Sequence, residues 1–223
     1  MGIFIAFLII VCWVGHLFYV LTFQVNDITQ FTFWLHILIQ AWLSTGLFIT
    51  AHDAMHGTVA RSSSLNMWIG RMTTFLYAGM SYKKLLACHI DHHKYPATEK
   101  DPDYTVGNQQ FFVWWYRFML RYVTVWQMLI MAVLFNVLLL WYSEFQLLLF
   151  WVLPLFLSTF QLFYFGTFLP HKLPHNAEMT AHRSRSLPRN HMYAFLSCYF
   201  FGYHLEHHSS PHTPWWRLYQ LKY

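Results

Sequence analysis

His89-Ile90-Asp91-His92-His93 runs directly into Lys94-Tyr95-Pro96-Ala97-Thr98-Glu99-Lys100-Asp101-Pro102-Asp103-Tyr104. On a helix, positions 89, 92 and 93 stand as i, i+3 and i+4, so three imidazoles share one face. Unpaired imidazoles gain nothing by clustering. A metal ion gives them a reason to, since neutral imidazole is the commonest protein ligand for zinc, iron and copper. The Pro- and Asp-rich segment that follows ends the helix.

The same spacing recurs at His204-Leu-Glu-His207-His208, and an i, i+4 pair stands at His52-Asp-Ala-Met-His56. These eight histidines exceed the four ligands of a tetrahedral zinc site and point to two metal ions. His171, closing the stretch Phe168-Leu-Pro-His171, is a candidate ninth ligand. All-nitrogen ligation with open positions suits iron handling dioxygen, whereas a zinc hydrolase usually adds a carboxylate. Reading His52 to His56 as the H-E-x-x-H of a membrane zinc protease puts Asp53 in the place of the general base, one methylene short.

The surroundings are apolar: 57% of the 223 residues are hydrophobic, 21% aromatic and only 10% charged. An ordinary soluble domain is about 25% charged. Apolar runs cover residues 2 to 23, Phe31 to about Gly57, about Val125 to Tyr142 and about Leu147 to Leu169, each near the ~20 residues of a bilayer crossing. Residues 65 to 82 are too short and interrupted for a crossing and read as an interfacial or re-entrant helix. Phe111 to Val125, with Arg117 and Arg121 among aromatics, reads as an amphipathic helix on the lipid surface. The expected architecture is an all-α integral membrane protein, one domain over residues 1–223. Four transmembrane helices form two hairpins, and a cytoplasmic helical cap holds the histidine-ligated metal pair.

Charge sets the expected orientation. All fourteen Lys and Arg lie between Arg61 and Arg121 or between Lys172 and Lys222, while the two hairpin turns carry only Asp27 and Glu144. The positive-inside rule then places the turns outside, and the histidines and both termini in the cytoplasm. The net charge of +5 is thus a topology signal and not the footprint of nucleic-acid binding. Cys12, Cys88 and Cys198 form no C-x-x-C pair, so neither a cysteine zinc site nor a disulfide framework is expected.

The wording around the clusters is more specific than their spacing. His52-Asp-Ala-Met-His56-Gly57, His89-Ile-Asp-His-His93 with Asp101-Pro-Asp103, Gln161-Leu-Phe-Tyr-Phe-Gly-Thr-Phe-Leu-Pro-His171, and Gly202-Tyr-His-Leu-Glu-His-His208 with Pro211-His-Thr-Pro-Trp-Trp216 resemble the membrane di-iron desaturases and hydroxylases, and within them the β-carotene ketolases. Residues 172–192 follow that wording loosely. The resemblance implies two iron ions on His52, His56, His89, His92, His93, His171, His204, His207 and His208, with Asp53 and Asp103 in catalytic roles and Asp101, otherwise a capping or turn residue, in a supporting one. It implies a carotenoid substrate, β-carotene or a 3-hydroxylated relative, converted to a 4-ketone by two successive hydroxylations and loss of water. O2 is the implied co-substrate, and a separate redox protein such as a ferredoxin supplies electrons, since no Rossmann or flavin motif is present.

Two alternatives stand beside this reading: a membrane fatty-acyl desaturase or hydroxylase on the same scaffold, and a histidine-rich metal-binding or transport protein. The latter expects polar groups along the crossings, whereas here the histidines gather at one face. His16 and His36, inside the first two apolar runs, read as hydrogen-bonded packing residues. His175, His182, His191 and His212 read as solvated. Asp91 and Glu206 could serve as carboxylate partners of the metal-bound imidazoles.

Overall fold

A computed structural model describes residues 1–23, 28–175, 179 and 182–222. Its elements are α1 (Gly2–Leu21), α2 (Phe31–Met55), α3 (Ser63–Ala78), α4 (Tyr82–Lys94), α5 (Phe111–Tyr122) and α6 (Val125–Leu138). Then follow α7 (Glu144–His171), α8 (His191–Cys198), α9 (His204–Ser209) and a 3₁₀ turn (Trp215–Leu221). The described residues are all helix, turn and loop, as expected.

The long helices have apolar outer faces that water would not tolerate. On α1, Ala6, Ile9, Trp13, Leu17 and Val20 form the buried stripe, while Phe4, Phe7, Leu8, Val11 and Phe18 point outward. Such a second apolar face fits lipid. Three helices, α1, α2 and α7, are long and apolar enough to cross a membrane. The third apolar run is not one long helix. Its helix α6 has 14 residues, about 21 Å at 1.5 Å per residue, short of a ~30 Å hydrocarbon core. It meets α5 at 88°, and the two make a fourth span only if taken together. Thr124 causes the break: extended at φ −131°, ψ 155°, it caps α6 by accepting the Gln127 N–H. The turn expected at residues 24–30 falls partly, with Asp27, outside the described residues.

α2 is the hub, packed against α1, α3 and α7. Some of its buried polar residues bond across helices. Thr45 Oγ1 meets Ser158 Oγ at 2.8 Å and donates to Gln161 Oε1 at 2.5 Å, while Trp13 Nε1 donates to Ser44 Oγ at 2.9 Å. His16 and His36 pair at 3.1 Å, and His16 reaches Gln40 at 2.6 Å, which is the packing role expected of them. α3 is held to the end of α2 by Asn66. Its amide donates to Ala54 O at 2.5 Å and accepts from the N–H groups of Val59 and Ala60 at 3.2 Å. This fixes the loop that follows His56. Gly79 ends α3 at φ 63°, a left-handed cap glycine takes without strain, and the chain reverses into α4.

Candidate metal centre

Four chain segments bring their histidines to one place: the C-terminal ends of α2 and α7, the last turn of α4, and α9. The nine candidate ligands fall into two nests, His52, His56, His89, His93 and His207 in one, and His92, His171, His204 and His208 in the other. Within each nest the ligand nitrogens lie within 4.8 Å of one another. Helix geometry explains the division. At 100° per residue, i and i+4 lie 40° apart whereas i+3 lies on the other side. So α4 sends His89 and His93 to the first nest and His92 to the second, and α9 does the reverse with His204, His208 and His207. The nests share a wall, where the His93 and His208 rings stack at 4.2 Å.

The ring nitrogens face one another at hydrogen-bond distance. His56 Nε2 and His89 Nε2 are 2.6 Å apart, His93 Nε2 and His207 Nε2 3.0 Å. His208 Nε2 lies 3.1 Å from His92 Nε2 and 3.0 Å from His204 Nε2. His92 Nδ1 donates to Asp101, 3.0 Å from each carboxylate oxygen, so its Nε2 carries a bare lone pair. His171 Nδ1 donates to Arg183 O at 3.0 Å, and its buried Nε2 has no hydrogen-bond partner. His92 and His171 therefore turn lone pairs into the second nest, where a bound cation would satisfy both. His52 Nε2 is likewise buried without a partner in the first nest.

Burial keeps most of these rings neutral, the form that ligates. It pushes His56 down to about 4, helped by His212. It lowers His204, His207 and His208 strongly, with the neighbouring imidazoles adding to the effect. The unfolded chain takes up protons below about pH 6.5 that the folded chain refuses. Stability of the metal-free protein therefore rises with pH and is lost as pH falls below that value. We expect the thermal midpoint of chelator-treated, detergent-solubilised protein to drop between pH 7 and pH 5. An unchanged midpoint contradicts neutral nests.

The carboxylates sort differently from the sequence expectation. Asp101, 3% exposed, is the partner of an imidazole, although it lies nine residues beyond His92. It also accepts the N–H groups of Ala97 at 2.8 Å and Asp103 at 2.9 Å. Asp53 accepts the Trp215 N–H at 3.0 Å and stands 3.7 Å from His52 Nδ1, tying the 3₁₀ turn to the end of α2. Asp103 accepts from the Tyr122 hydroxyl; burial raises its carboxyl to about 6 against the pull of His92. Asp91 is exposed, and Glu206 bonds Ser186 and Lys222 rather than an imidazole. The four histidines read as solvated are all engaged, His212 through its Nδ1, 3.4 Å from His56 O. His182 lies 5.7 Å ring to ring from His208, His191 Nδ1 is 3.0 Å from the Tyr203 hydroxyl, and His175 Nε2 is 3.0 Å from His171 O. His212 is exposed, as expected.

A cavity of about 460 Å³ opens onto both nests, touching His52 and His89 of one, His92 and His204 of the other. It follows a stripe of α7 through Leu148, Trp151, Leu155, Thr159, Leu162 and Gly166. From Leu148 to Thr167 that stripe spans about 28 Å at 1.5 Å per residue, so the cavity is a narrow slot. No Lys or Arg lines it among the described residues. Gly166 admits the wedge that forms its inner end. A Cβ there would lie 2.1 Å from the Phe201 ring, which packs 4.9 Å from His52 and 5.4 Å from His204.

The sequence matches the fatty acid desaturase family over residues 29–131 and 121–223. It is 38% identical to a zeaxanthin 4-ketolase of Chlamydomonas reinhardtii over 79% of this chain and 41% of that protein. It is 36% identical to a β-carotene 4-ketolase of Protosiphon botryoides over 97% of this chain and 62% of that protein. With a β-carotene ketolase of Paracoccus sp. (strain PC1) it shares 37% identity over 79% of this chain and 74% of that protein. The chain thus spans less than two thirds of the two algal relatives. No solved structure matches it. A two-nest histidine centre opening on a membrane-length slot, together with these matches, leads to one conclusion: the chain belongs to the fatty acid desaturase family and, within it, to the β-carotene ketolases.

Proposed function

We propose that this protein is a membrane carotenoid oxygenase that introduces a keto group at C4 of β-ionone rings, by two successive hydroxylations and loss of water. The slot carries the reading. It is apolar and, at about 28 Å, close to the ~30 Å thickness of the hydrocarbon core. One end lies at the histidines. An extended C40 polyene is about that long and has no headgroup, so a slot without a cationic residue suits it better than an acyl chain carrying a polar head. Flexible methionines in the walls, Met80, Met119 and Met131, suit a close fit to a long, stiff chain.

His52, His56, His89, His93 and His207 would hold one iron, and His92, His171, His204 and His208 the other. Bound iron would supply the reductive activation of O2 that no side chain can perform. The chain's own part is geometric: Phe201 closes the inner end of the slot against water, and Asp101 and Arg183 O orient His92 and His171. Electrons would come from a separate protein such as a ferredoxin. We further propose a single domain over residues 1–223, with four crossings in two hairpins and the centre and both termini cytoplasmic. The placement of Lys and Arg supports this sidedness.

Pigment analysis of membranes from β-carotene-producing cells, with and without the protein, tests the activity. We expect mono- and diketo carotenoids with it. Unchanged carotenoids together with altered acyl chains would favour the desaturase alternative. The slot has its own test in Leu155→Trp, which adds an indole midway along it. We expect ketone yield to fall at least tenfold while bound iron stays constant; undiminished yield would mean that the polyene lies elsewhere.

A further inference from the structure

Asp103 is the one acidic residue lining the slot among the described residues, and a hydrocarbon ring offers it nothing. A carboxylate among apolar walls is costly unless hydrogen-bonded. Oδ1 is satisfied by the Tyr122 hydroxyl. Oδ2 lies 3.9 Å from His92 Nδ1, beyond hydrogen-bonding reach, and that nitrogen is already committed to Asp101. The residue is held firmly. Its N–H donates to Asp101 at 2.9 Å, its carbonyl accepts from Trp114 Nε1 at 2.9 Å, and Tyr122 is buried at the end of α5. The inner end of the slot therefore carries a fixed acceptor with spare capacity, beside His89 and His92.

We infer that Asp103, positioned by Tyr122, accepts a hydrogen bond from the 4-hydroxyl of the half-oxidised substrate and holds it for the second oxidation. This rests on the C4-ketolase reading. The first round replaces one C4–H by C4–OH, consuming O2, two electrons from the donor protein and two protons, and releasing water. The second does the same to the remaining C4–H, giving a geminal diol that loses water to the ketone. Between rounds the alcohol must stay in the slot with its second C4–H turned to the histidines. An O–H anchored on Asp103 fixes that orientation, and a hydrocarbon substrate makes no such bond. Asp103 touches the substrate; Tyr122 acts through Asp103.

Full-length Tyr122→Phe and Asp103→Asn, expressed in β-carotene-producing cells, test this by the ratio of 4-hydroxy to 4-keto products. We expect the ratio to rise roughly tenfold in Tyr122→Phe, the consequence of losing a charge-assisted hydrogen bond, and to rise in Asp103→Asn, whose amide is a weaker acceptor. Supplied directly, the 4-hydroxy carotenoid should show a raised KM in both variants. A purely structural role slows both rounds together, so an unchanged ratio in iron-loaded variants overturns the inference. Absence of ketone from the unsubstituted protein instead removes the C4 reading itself, and the two failures are distinguishable.

Discussion

We expect replacement of His171 with alanine to lower bound iron from the two ions per chain proposed above to one and to reduce ketone formation more than a hundredfold. The nests are unequal, which makes the outcome specific. The His171 nest has four imidazoles, all buried, whereas the other has five, three of them half-buried. His171 is 1% exposed, and the hydrogen bond from its Nδ1 to Arg183 O leaves the buried Nε2 without a hydrogen-bond partner in the nest of His92, His204 and His208. Removing it leaves three protein ligands. His182 is the nearest outsider, 5.7 Å from the His208 ring. His56→Ala at the half-buried rim of the larger nest leaves four imidazoles, so we expect a smaller loss there. Metal analysis of detergent-purified protein reads both variants, with circular dichroism confirming that helix content is kept. Two irons per chain in His171→Ala would remove His171 from the ligand set.

The centre was legible in the sequence because helical spacing is a local property. Two H-x-x-H-H runs at the ends of apolar stretches already place their imidazoles on one helix face, and the ends of α2 and α7 came within a few residues of their expected positions. The split of each run into i, i+4 and i+3 also follows from that spacing, but which part of α4 shares a nest with which part of α9 depends on how the two helices face each other across the chain. The third apolar run misled for a related reason. Its hydropathy is continuous with α5, but the extended Val123 and Thr124 set the two helices at 88°, and composition does not register a two-residue change of backbone conformation. Asp101 was read as a turn or supporting catalytic residue and not as an imidazole's partner, because the search for such partners stayed inside the clusters. The signal lay in Asp101-Pro-Asp103, a loop that folds back onto the helix it follows. The slot is tertiary throughout, assembled from helices far apart in the chain.

Asp101→Asn should cost the second nest its metal at nearly constant shape, and the reason is a proton. The carboxylate can only accept, so it fixes the His92 proton on Nδ1 and leaves Nε2 free to ligate. Burial pushes the His92 pKa down, but the hydrogen bond and charge of Asp101 outweigh it and the net shift is upward. An asparagine in the same place still accepts from the Ala97 N–H or the Asp103 N–H through its carbonyl. Its NH2 group, turned to His92, favours the tautomer with the proton on Nε2, which blocks the ligand. Loss of such a partner typically weakens metal affinity by 10 to 100-fold, so we expect one iron to leave readily to a chelator that the unsubstituted protein resists. Asp101→Glu, which keeps the charge with one more methylene, should recover part of that resistance. A merely structural role for Asp101 predicts the opposite order, with the near-isosteric asparagine tolerated and the longer glutamate not.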